Sequence, residues 1–210
     1  MVSDSFLING PDGAPTFLFA HGAGAPMDSE FMDQIARGLA LKGIRVVRFE
    51  FPYMEERRKT GGKRPPNRQP QLIESFTEAL QKMDGPCVIG GKSMGGRMAS
   101  ILAAQGSEGI KAVVALGYPF HPAGKPDKLR VDHFSQLPLP MLIVQGTRDP
   151  LGNREEVRSL ELPLNAEVLW LEDGDHDLKP RKKSGFTHAE HLDATVDAVA
   201  KFIQKTLSAN

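Results

Sequence analysis

The sequence predicts an α/β fold with a mostly parallel, doubly wound sheet of about six to seven strands flanked by helices. Two observations lead to this prediction. Short apolar runs alternate along the chain with segments whose apolar residues recur at helical spacing, and strands that alternate with helices form parallel sheets. The length of 210 residues suits one domain, 1–210, and no internal repeat or linker divides the chain.

The predicted strands are apolar runs of four to eight residues that end at glycine, proline or polar residues. In chain order they are Thr16–Ala20, Ile44–Phe51, Cys87–Gly90, Ile110–Leu116, Met141–Gln145 and Glu167–Leu171. Apolar residues at helical spacing predict helices over 31–39, 72–83, 98–102 and 192–207. Thr187 and Glu190 form a capping box that begins the last helix. The longest polar insert, Met54–Gln69, is too short to be a domain of its own.

Composition and charge exclude several classes of function. The chain carries 26 basic and 26 acidic residues, so its net charge of zero predicts neither a nucleic-acid partner nor a membrane partner. The single cysteine, Cys87, cannot form an internal disulfide and fits a reducing compartment. Residues Met1–Ser5 lack the basic region of a signal peptide, so we expect a cytoplasmic protein.

A serine flanked by glycines follows the run Cys87–Gly90. The segment Gly91-Lys92-Ser93-Met94-Gly95 also opens a helix-patterned stretch. G-x-S-x-G between a strand and a helix is typical of a nucleophile elbow, a strained turn that exposes the serine oxygen. The context predicts that Ser93 is a nucleophile; the alternative is a serine that only caps the helix. We expect Met94 to line the acyl pocket and Lys92 to be exposed.

A nucleophilic serine needs a base, and the base needs an acid that orients it. Such groups collect in the loops at the carboxyl ends of strands. Asp149 follows the strand Met141–Gln145, and His176 follows Glu167–Leu171. We therefore predict that His176 is the base and Asp149 the acid. Rival acids near His176 are Asp173, Asp175 and Asp177.

The same chemistry requires two donors for a developing oxyanion. The elbow offers the backbone N–H of Met94. The loop after Thr16–Ala20 is rich in glycine and offers the second donor, for which Ala23 is our prediction and Gly24 the competitor.

These motifs together resemble those of a small α/β-hydrolase without a cap domain, of the dienelactone-hydrolase-like kind. The resemblance spans the whole chain and is strongest to a group that includes a testis-expressed protein and a subunit of a histone-acetylating chromatin complex. Its motifs are His21-Gly22-Ala23-Gly24, Gly91 to Arg97, Gly117 to Pro122, Gly146-Thr147-Arg148-Asp149 and Gly174-Asp175-His176. The resemblance implies the fold and the roles of Ser93, Asp149 and His176. Dienelactone hydrolases proper use a cysteine nucleophile, whereas serine stands here.

Further residues are candidates for the substrate pocket: His21, Gly24, Tyr118 and His121. His21 ends a strand and is also expected to hold the oxyanion loop in shape. His121 fits a pocket position and a surface position equally well. His188 and His191, at the start of the last helix, are expected to face solvent.

The sequence therefore predicts a serine hydrolase that cleaves a small ester or thioester and needs no metal or organic cofactor. Segment 54–70 carries six basic residues against two acidic ones, which favours an anionic substrate if these charges are more than solvated loop residues. A non-catalytic interaction protein that retains the fold is the alternative, and an amidase or peptidase would use the same residues. The oligomeric state is not predicted.

Overall fold

A computed structural model describes residues 6–208 as a seven-stranded sheet with helices on both faces. The strands are β1 Leu7–Asn9, β2 Thr16–Ala20, β3 Arg45–Phe49, β4 Cys87–Lys92, β5 Ile110–Leu116, β6 Met141–Gly146 and β7 Ala166–Leu171. The helices are α1 Glu30–Leu41, α2 Pro52–Thr60, α3 Gln69–Gln81, α4 Met94–Ala104, α5 Arg154–Arg158 and α6 His188–Ser208. Residues Met1–Ser5, on which the expectation about a signal peptide rests, lie outside the described residues.

The strands follow the order β1-β3-β2-β4-β5-β6-β7 across the sheet. All neighbouring pairs from β3 to β7 are parallel, and β1 is antiparallel to β3. The chain moves outward from β2 to β3 and then returns to place β4 on the other side of β2. Ligands of open α/β sheets bind at the carboxyl ends of the strands beside such a reversal. The loops after β2 and β4 meet there.

Two apolar clusters fill the spaces between the sheet and its helices. On one face α3 packs against α4, and α4 lies over β4 and β5. This cluster contains Phe76 and Met98 together with Leu18 of β2. On the other face α1 packs against α6, and their side chains cover Phe17 and Phe19 of β2. Successive side chains of β2 therefore enter the two clusters in turn, because the strand is covered on both faces of the sheet.

Three local features differ from the prediction. The antiparallel edge strand β1 and the helix α5, each of three to five residues, were not predicted. The insert 54–69 is partly helical, because α2 begins with Pro52 at its first turn and ends at Gly61, which has φ +68°. The long connection 117–140 contains one 3-10 helix, Phe134–Gln136, so the part of the chain described has no cap domain over the strand ends.

Within residues 6–208, no helix is long and apolar enough to cross a membrane.

Candidate active site

Ser93 occupies the single residue between β4 and α4. Its backbone has φ 50° and ψ −113°, a combination that residues other than glycine rarely adopt. Two backbone hydrogen bonds hold it there: Ser93 N donates to Leu116 O (2.9 Å), and Arg97 N donates to Ser93 O (3.1 Å). The strained serine thus stands at the carboxyl end of the sheet and at the N-terminus of a helix, where the sequence placed the elbow.

The glycines beside Ser93 allow the turn to pack against β2. A Cβ atom on Gly91 would lie 2.5 Å from the Gly95 carbonyl carbon, and one on Gly95 would lie 2.5 Å from Ala20 O. Real Cβ atoms do not approach backbone atoms so closely. The close contact of α4 with the end of β2 therefore requires glycine at both positions.

Ser93, His176 and Asp149 form one chain of hydrogen bonds. His176 Nε2 lies 2.8 Å from Ser93 Oγ, and His176 Nδ1 lies 2.8 Å from Asp149 Oδ2. The three side chains come from the loops after β4, β6 and β7. Asp149 is fully buried, whereas His176 is partly exposed, so the serine end of the chain faces the outside.

Asp149 is held by partners that the sequence prediction missed. Its Oδ1 accepts a hydrogen bond from Leu151 N (2.8 Å), and its Oδ2 accepts one from Gln145 Nε2 (3.0 Å). Gln145 is fully buried and also binds Tyr118 through backbone N and O. These bonds satisfy the buried carboxylate and fix its direction toward His176. The signal in the sequence was a polar glutamine at the end of an otherwise apolar strand.

The rival acids have other partners. Asp173 pairs with Arg148 and Arg181, and Arg181 holds the pKa of that carboxyl well below its usual range. Asp175 accepts hydrogen bonds from the backbone N–H groups of Asp177 and Lys179 (2.9 and 3.0 Å). Asp177 lies 3.3 Å from Lys92 Nζ. Of the four candidate acids, the structure brings only Asp149 to the imidazole ring.

Three side chains fix the loop that carries His176. Each donates to a different carbonyl: Lys92 Nζ to His176 O (2.6 Å), His188 Nε2 to Asp177 O (2.9 Å) and His191 Nδ1 to Leu178 O (2.8 Å). Lys92 and His191 are buried, so the expectation that they face solvent is wrong. Strand β4 continues two residues beyond its predicted end and carries Lys92 inward, and α6 turns His191 toward the loop.

The loop after β2, which carries the candidate oxyanion donor Ala23, lies against the turn at Ser93. A Cβ atom on Gly22 would lie 3.7 Å from Ser93 Cβ, which places the next residue, Ala23, beside the serine. Ala23 lines the same cleft as Ser93 and Met94, and its N–H takes part in no hydrogen bond between residues 6 and 208. Met94 N–H, at the first residue of α4, likewise donates to no acceptor within the described residues.

His21 secures this loop from inside the protein. It is fully buried; its Nδ1 lies 2.7 Å from Gly22 O, and its Nε2 accepts a hydrogen bond from Phe51 N (3.0 Å). Burial lowers the pKa of His21, which keeps the ring neutral, with the proton on Nδ1. Tyr53 Oη donates to Ala23 O (3.0 Å) from the other side. The loop is thereby fixed through its carbonyls, and Ala23 N–H stays free.

Comparison with known proteins identifies the family. The family described as "Alpha/beta hydrolase domain" matches residues 13–204. The chain belongs to the α/β-hydrolase family. The predicted α/β-hydrolase fold is thereby confirmed.

Solved α/β-hydrolase structures share the whole fold at low sequence identity. Est1E from Butyrivibrio proteoclasticus is 14% identical with a TM-score of 0.73, and the match covers 99% of this chain and 98% of Est1E. Dienelactone hydrolase from Anabaena variabilis is 20% identical with a TM-score of 0.69, covering 98% and 94%. A serine hydrolase homologue from Coxiella burnetii is 17% identical with a TM-score of 0.67, covering 94% and 90%.

The cleft of this α/β-hydrolase has a volume of about 450 Å³ and opens beside Ser93. Its lining consists of Ala23, Pro66, Asn67, Gln69, Leu72, Ser93, Met94, Arg97, Met98, Pro119, Pro122, Ala123, Arg130 and Leu151. A larger cavity of about 710 Å³ lies around Thr16 and Pro86, at the opposite ends of the strands, and contains none of the candidate catalytic residues. The smaller cleft is therefore the candidate substrate site.

The four pocket residues predicted from the sequence lie outside this cleft. Tyr118 is fully buried, packs against Phe120 and Phe134, and donates through Oη to Arg130 O (2.8 Å). His121 is buried and lies 3.3 Å from Glu156 Oε2, in a separate cavity. Gly24 is exposed with open space around it, and His21 serves the loop as described. The structure therefore does not bring these four residues to the cleft, because the motif places them at strand ends without showing which face they take.

Proposed function

We propose that the protein is a serine hydrolase that cleaves a small ester or thioester through an acyl-enzyme intermediate. The observation that carries the proposal is the unbroken chain from Asp149 through His176 to Ser93, with both hydrogen bonds at 2.8 Å. A base within 3.2 Å of a hydroxyl can accept its proton. The esterase, dienelactone hydrolase and serine hydrolase neighbours support this reaction type through their shared fold.

Each group has one role in the proposed reaction. His176 Nε2 takes the proton from Ser93 Oγ as the oxygen attacks the carbonyl carbon, and it then gives the proton to the leaving alcohol or thiol. Asp149 keeps the proton of the neutral ring on Nδ1 and stabilises the imidazolium that forms. Met94 N–H and Ala23 N–H donate to the oxyanion, each contributing about 3–4 kcal/mol. Water activated by His176 then attacks the acyl-enzyme and frees Ser93.

The cleft supports a short acyl chain. Its volume of about 450 Å³ and its open mouth give a long chain little apolar surface to cover. Each buried methylene contributes about 0.8 kcal/mol, so chain-length preference ends where burial ends. We expect kcat/KM to be highest for acetyl to butyryl esters. A preference for chains of ten carbons or more would contradict the proposed cleft.

A fluorophosphonate probe tests the proposal directly. The wild-type protein should be labelled on Ser93, and Ser93→Ala should abolish labelling while circular dichroism stays unchanged. Ser159→Ala is a matched control, because Ser159 is exposed and donates only to Glu156 O. Labelling that persists in Ser93→Ala, or its absence from the wild type, would contradict the proposal. The second result would favour the non-catalytic interaction protein.

A pair of aspartate variants tests the acid. Asp149→Asn should lower kcat by about 10³–10⁴-fold without unfolding the protein, because the amide cannot hold the catalytic tautomer. Asp175→Asn is the control, since the Asp175 carboxylate accepts only backbone N–H groups. A larger loss in Asp175→Asn would overturn the assignment of Asp149.

Two broader predictions rest on the sequence. The closer kinship to a testis-expressed protein and a chromatin-complex subunit is proposed from the shared motifs alone. A cytoplasmic location is proposed from the single cysteine, Cys87, which is buried and unpaired.

Hydrolysis of amides by the same residues is separated from ester hydrolysis by assaying p-nitroanilides beside p-nitrophenyl esters.

A further inference from the structure

The cleft beside Ser93 carries charge of one sign. Of its lining residues, the charged ones are Arg97 and Arg130, and no aspartate or glutamate is among them. Asn67 and Gln69 supply the remaining long polar side chains. A small cleft that holds two guanidinium groups favours an anionic occupant.

Arg97 lies one helical turn from the nucleophile, since its N–H donates to Ser93 O. Its Nη2 donates to Gln69 Oε1 (3.0 Å), and its Nε is buried with no hydrogen-bond partner in the described part of the chain. Burial lowers the pKa of Arg97, and the nearby charge of Arg130 lowers it further. Tyr118 and Asp132 oppose this lowering of the pKa. The guanidinium thus has unused donors and an unfavourable environment that a bound anion would improve.

Arg130 is held at the cleft by its backbone. Arg130 N donates to Phe120 O (2.8 Å), and Tyr118 Oη donates to Arg130 O (2.8 Å). Tyr118 itself lies in the core, which makes this part of the 117–140 connection rigid. Both side chains line the cleft, and the positive charge of Arg130 lowers the pKa of Arg97, so the two charges repel each other. A carboxylate between them would offset that repulsion.

The basic residues of segment 54–70 are less suited to this role. Arg58 is paired with Glu50 and Asp28, and Arg64 is paired with Glu56. The charges of Arg58 and Arg64 are thereby largely neutralised within the protein. We therefore assign the attraction for an anion to Arg97 and Arg130, which line the cleft, and not to segment 54–70.

We propose that Arg97 and Arg130 select substrates that carry an anionic group, such as a carboxylate, in addition to the ester or thioester. The pair makes the cleft specific for small half-esters of diacids or for esters of carboxylate-bearing alcohols. This inference rests on the proposed hydrolase function, because it places the anion within reach of Ser93.

Matched esters test the inference and show which half of the substrate carries the anion. The p-nitrophenyl half-ester of glutarate is compared with p-nitrophenyl butyrate, and 4-carboxyphenyl acetate with phenyl acetate. The wild type should show a higher kcat/KM for the anionic member of at least one pair. The anionic-to-neutral ratio should fall at least tenfold in Arg97→Gln and in Arg130→Gln.

Arg68→Gln is the matched control. Arg68 is exposed, belongs to the neighbouring segment and does not line the cleft, so its substitution should leave the ratio unchanged. Arg130→Gln also tests the inference by itself if Arg97→Gln fails to fold. A ratio that is the same in the wild type and both cleft variants would overturn the inference.

A binding experiment separates this inference from the hydrolase proposal. Calorimetry measures glutarate binding to Ser93→Ala and to the same protein with Arg97→Gln added, with butyramide as the neutral comparison. We expect glutarate to bind at least tenfold more weakly to the double variant. If fluorophosphonate labelling fails but this loss is observed, the anion site stands and the hydrolase proposal does not. If glutarate does not bind, or binds both proteins equally, the anion site is refuted.

Discussion

Lys92 Nζ donates a hydrogen bond of 2.6 Å to the backbone carbonyl of His176. Lys92 precedes the candidate nucleophile Ser93 in the sequence, and His176 is the candidate base for that serine. Burial lowers the pKa of Lys92, and the charges of Asp177 and Asp149 oppose that effect. A buried lysine is costly unless its charge is paired and hydrogen-bonded. Its contacts therefore indicate a positioning role: the side chain holds the His176 loop against the elbow.

We predict that Lys92→Met lowers kcat for ester hydrolysis about 10- to 100-fold and changes KM little, because misalignment of His176 affects the reaction more than binding. Lys201→Met is the control, since Lys201 is an exposed lysine on α6. Fluorophosphonate labelling of Lys92→Met should be slower by a similar factor. If kcat is retained while only thermal stability falls, Lys92 has a purely structural role.

The strain at Ser93 predicts an unusual ranking of two inactive variants. Ser93→Gly should be more stable than Ser93→Ala by about 1 kcal/mol. Glycine relieves roughly 1–3 kcal/mol of backbone strain at φ 50°. It also raises the conformational entropy of the unfolded chain, which lowers stability by roughly 0.5–1 kcal/mol. Urea unfolding measures the difference.

The same pair of substitutions at Ser159 provides the comparison. Ser159 has φ −87°, so glycine should be the less stable variant there. Equal stability of the two Ser93 variants would show that the elbow is relaxed.

Gly95 should not tolerate even one added methyl group. Alanine usually stabilises a helix relative to glycine by about 1 kcal/mol, but a Cβ atom here would lie 2.5 Å from Ala20 O and 2.7 Å from His21 O. Both obstacles are backbone atoms, so the elbow or β2 must move. We expect Gly95→Ala to lower the free energy of unfolding by about 3 kcal/mol and to reduce activity.

Gly24→Ala is the matched variant in the neighbouring loop. A Cβ atom at Gly24 meets no atom within 4 Å, and its φ is not in the left-handed region. Stability should change by less than about 0.5 kcal/mol. A similar loss in both variants would mean that packing against β2 does not decide the choice of glycine at position 95.

His133 should make the protein sensitive to acid. Burial, followed by the charge of Arg97, lowers the pKa of His133 to about 4 from 6.5, while its Nε2 lies 2.7 Å from Ser100 Oγ. As the pH falls, His133 is therefore protonated in the unfolded chain before it is protonated in the folded protein. The free energy of unfolding is therefore unaffected by His133 above about pH 6.5, and it decreases as the pH falls from about 6.5 to 4.

His133→Gln should remove this dependence. The difference in free energy of unfolding between wild type and variant should change by about 2 kcal/mol across that interval, after allowance for partial exposure of the ring. Urea unfolding at several pH values measures it. Parallel stability curves would show that His133 titrates alike in both states.

Local patterns predicted most of the sheet and the order of its loops. Strand β5 has the predicted bounds, and β2 does as well, because each apolar run is bounded by residues that end strands. Strand β1 escaped prediction since three residues with one antiparallel partner carry no readable periodicity. The placement of Ser93, Asp149 and His176 followed from motif and strand ends. Their geometry agrees with that prediction, while their catalytic roles stay proposed.

Long-range contacts account for what the sequence did not reveal. Gln145 accepts a hydrogen bond from Tyr118 N and donates one to Asp149, and so links residues of two different loops. Arg97 and Arg130 approach each other only because α4 and the 117–140 connection fold onto the same cleft. No pattern within either segment indicates such a pairing.

Residues 61–68 form neither helix nor strand and bury no side chain, yet Pro66 and Asn67 border the cleft. Asn67 Oδ1 anchors the stretch by accepting a hydrogen bond from Tyr53 N (2.9 Å). Insertions or deletions between Gly61 and this anchor would remodel the entrance without disturbing either apolar cluster. Substrate range can therefore diversify, or be engineered by loop exchange, with little penalty in folding.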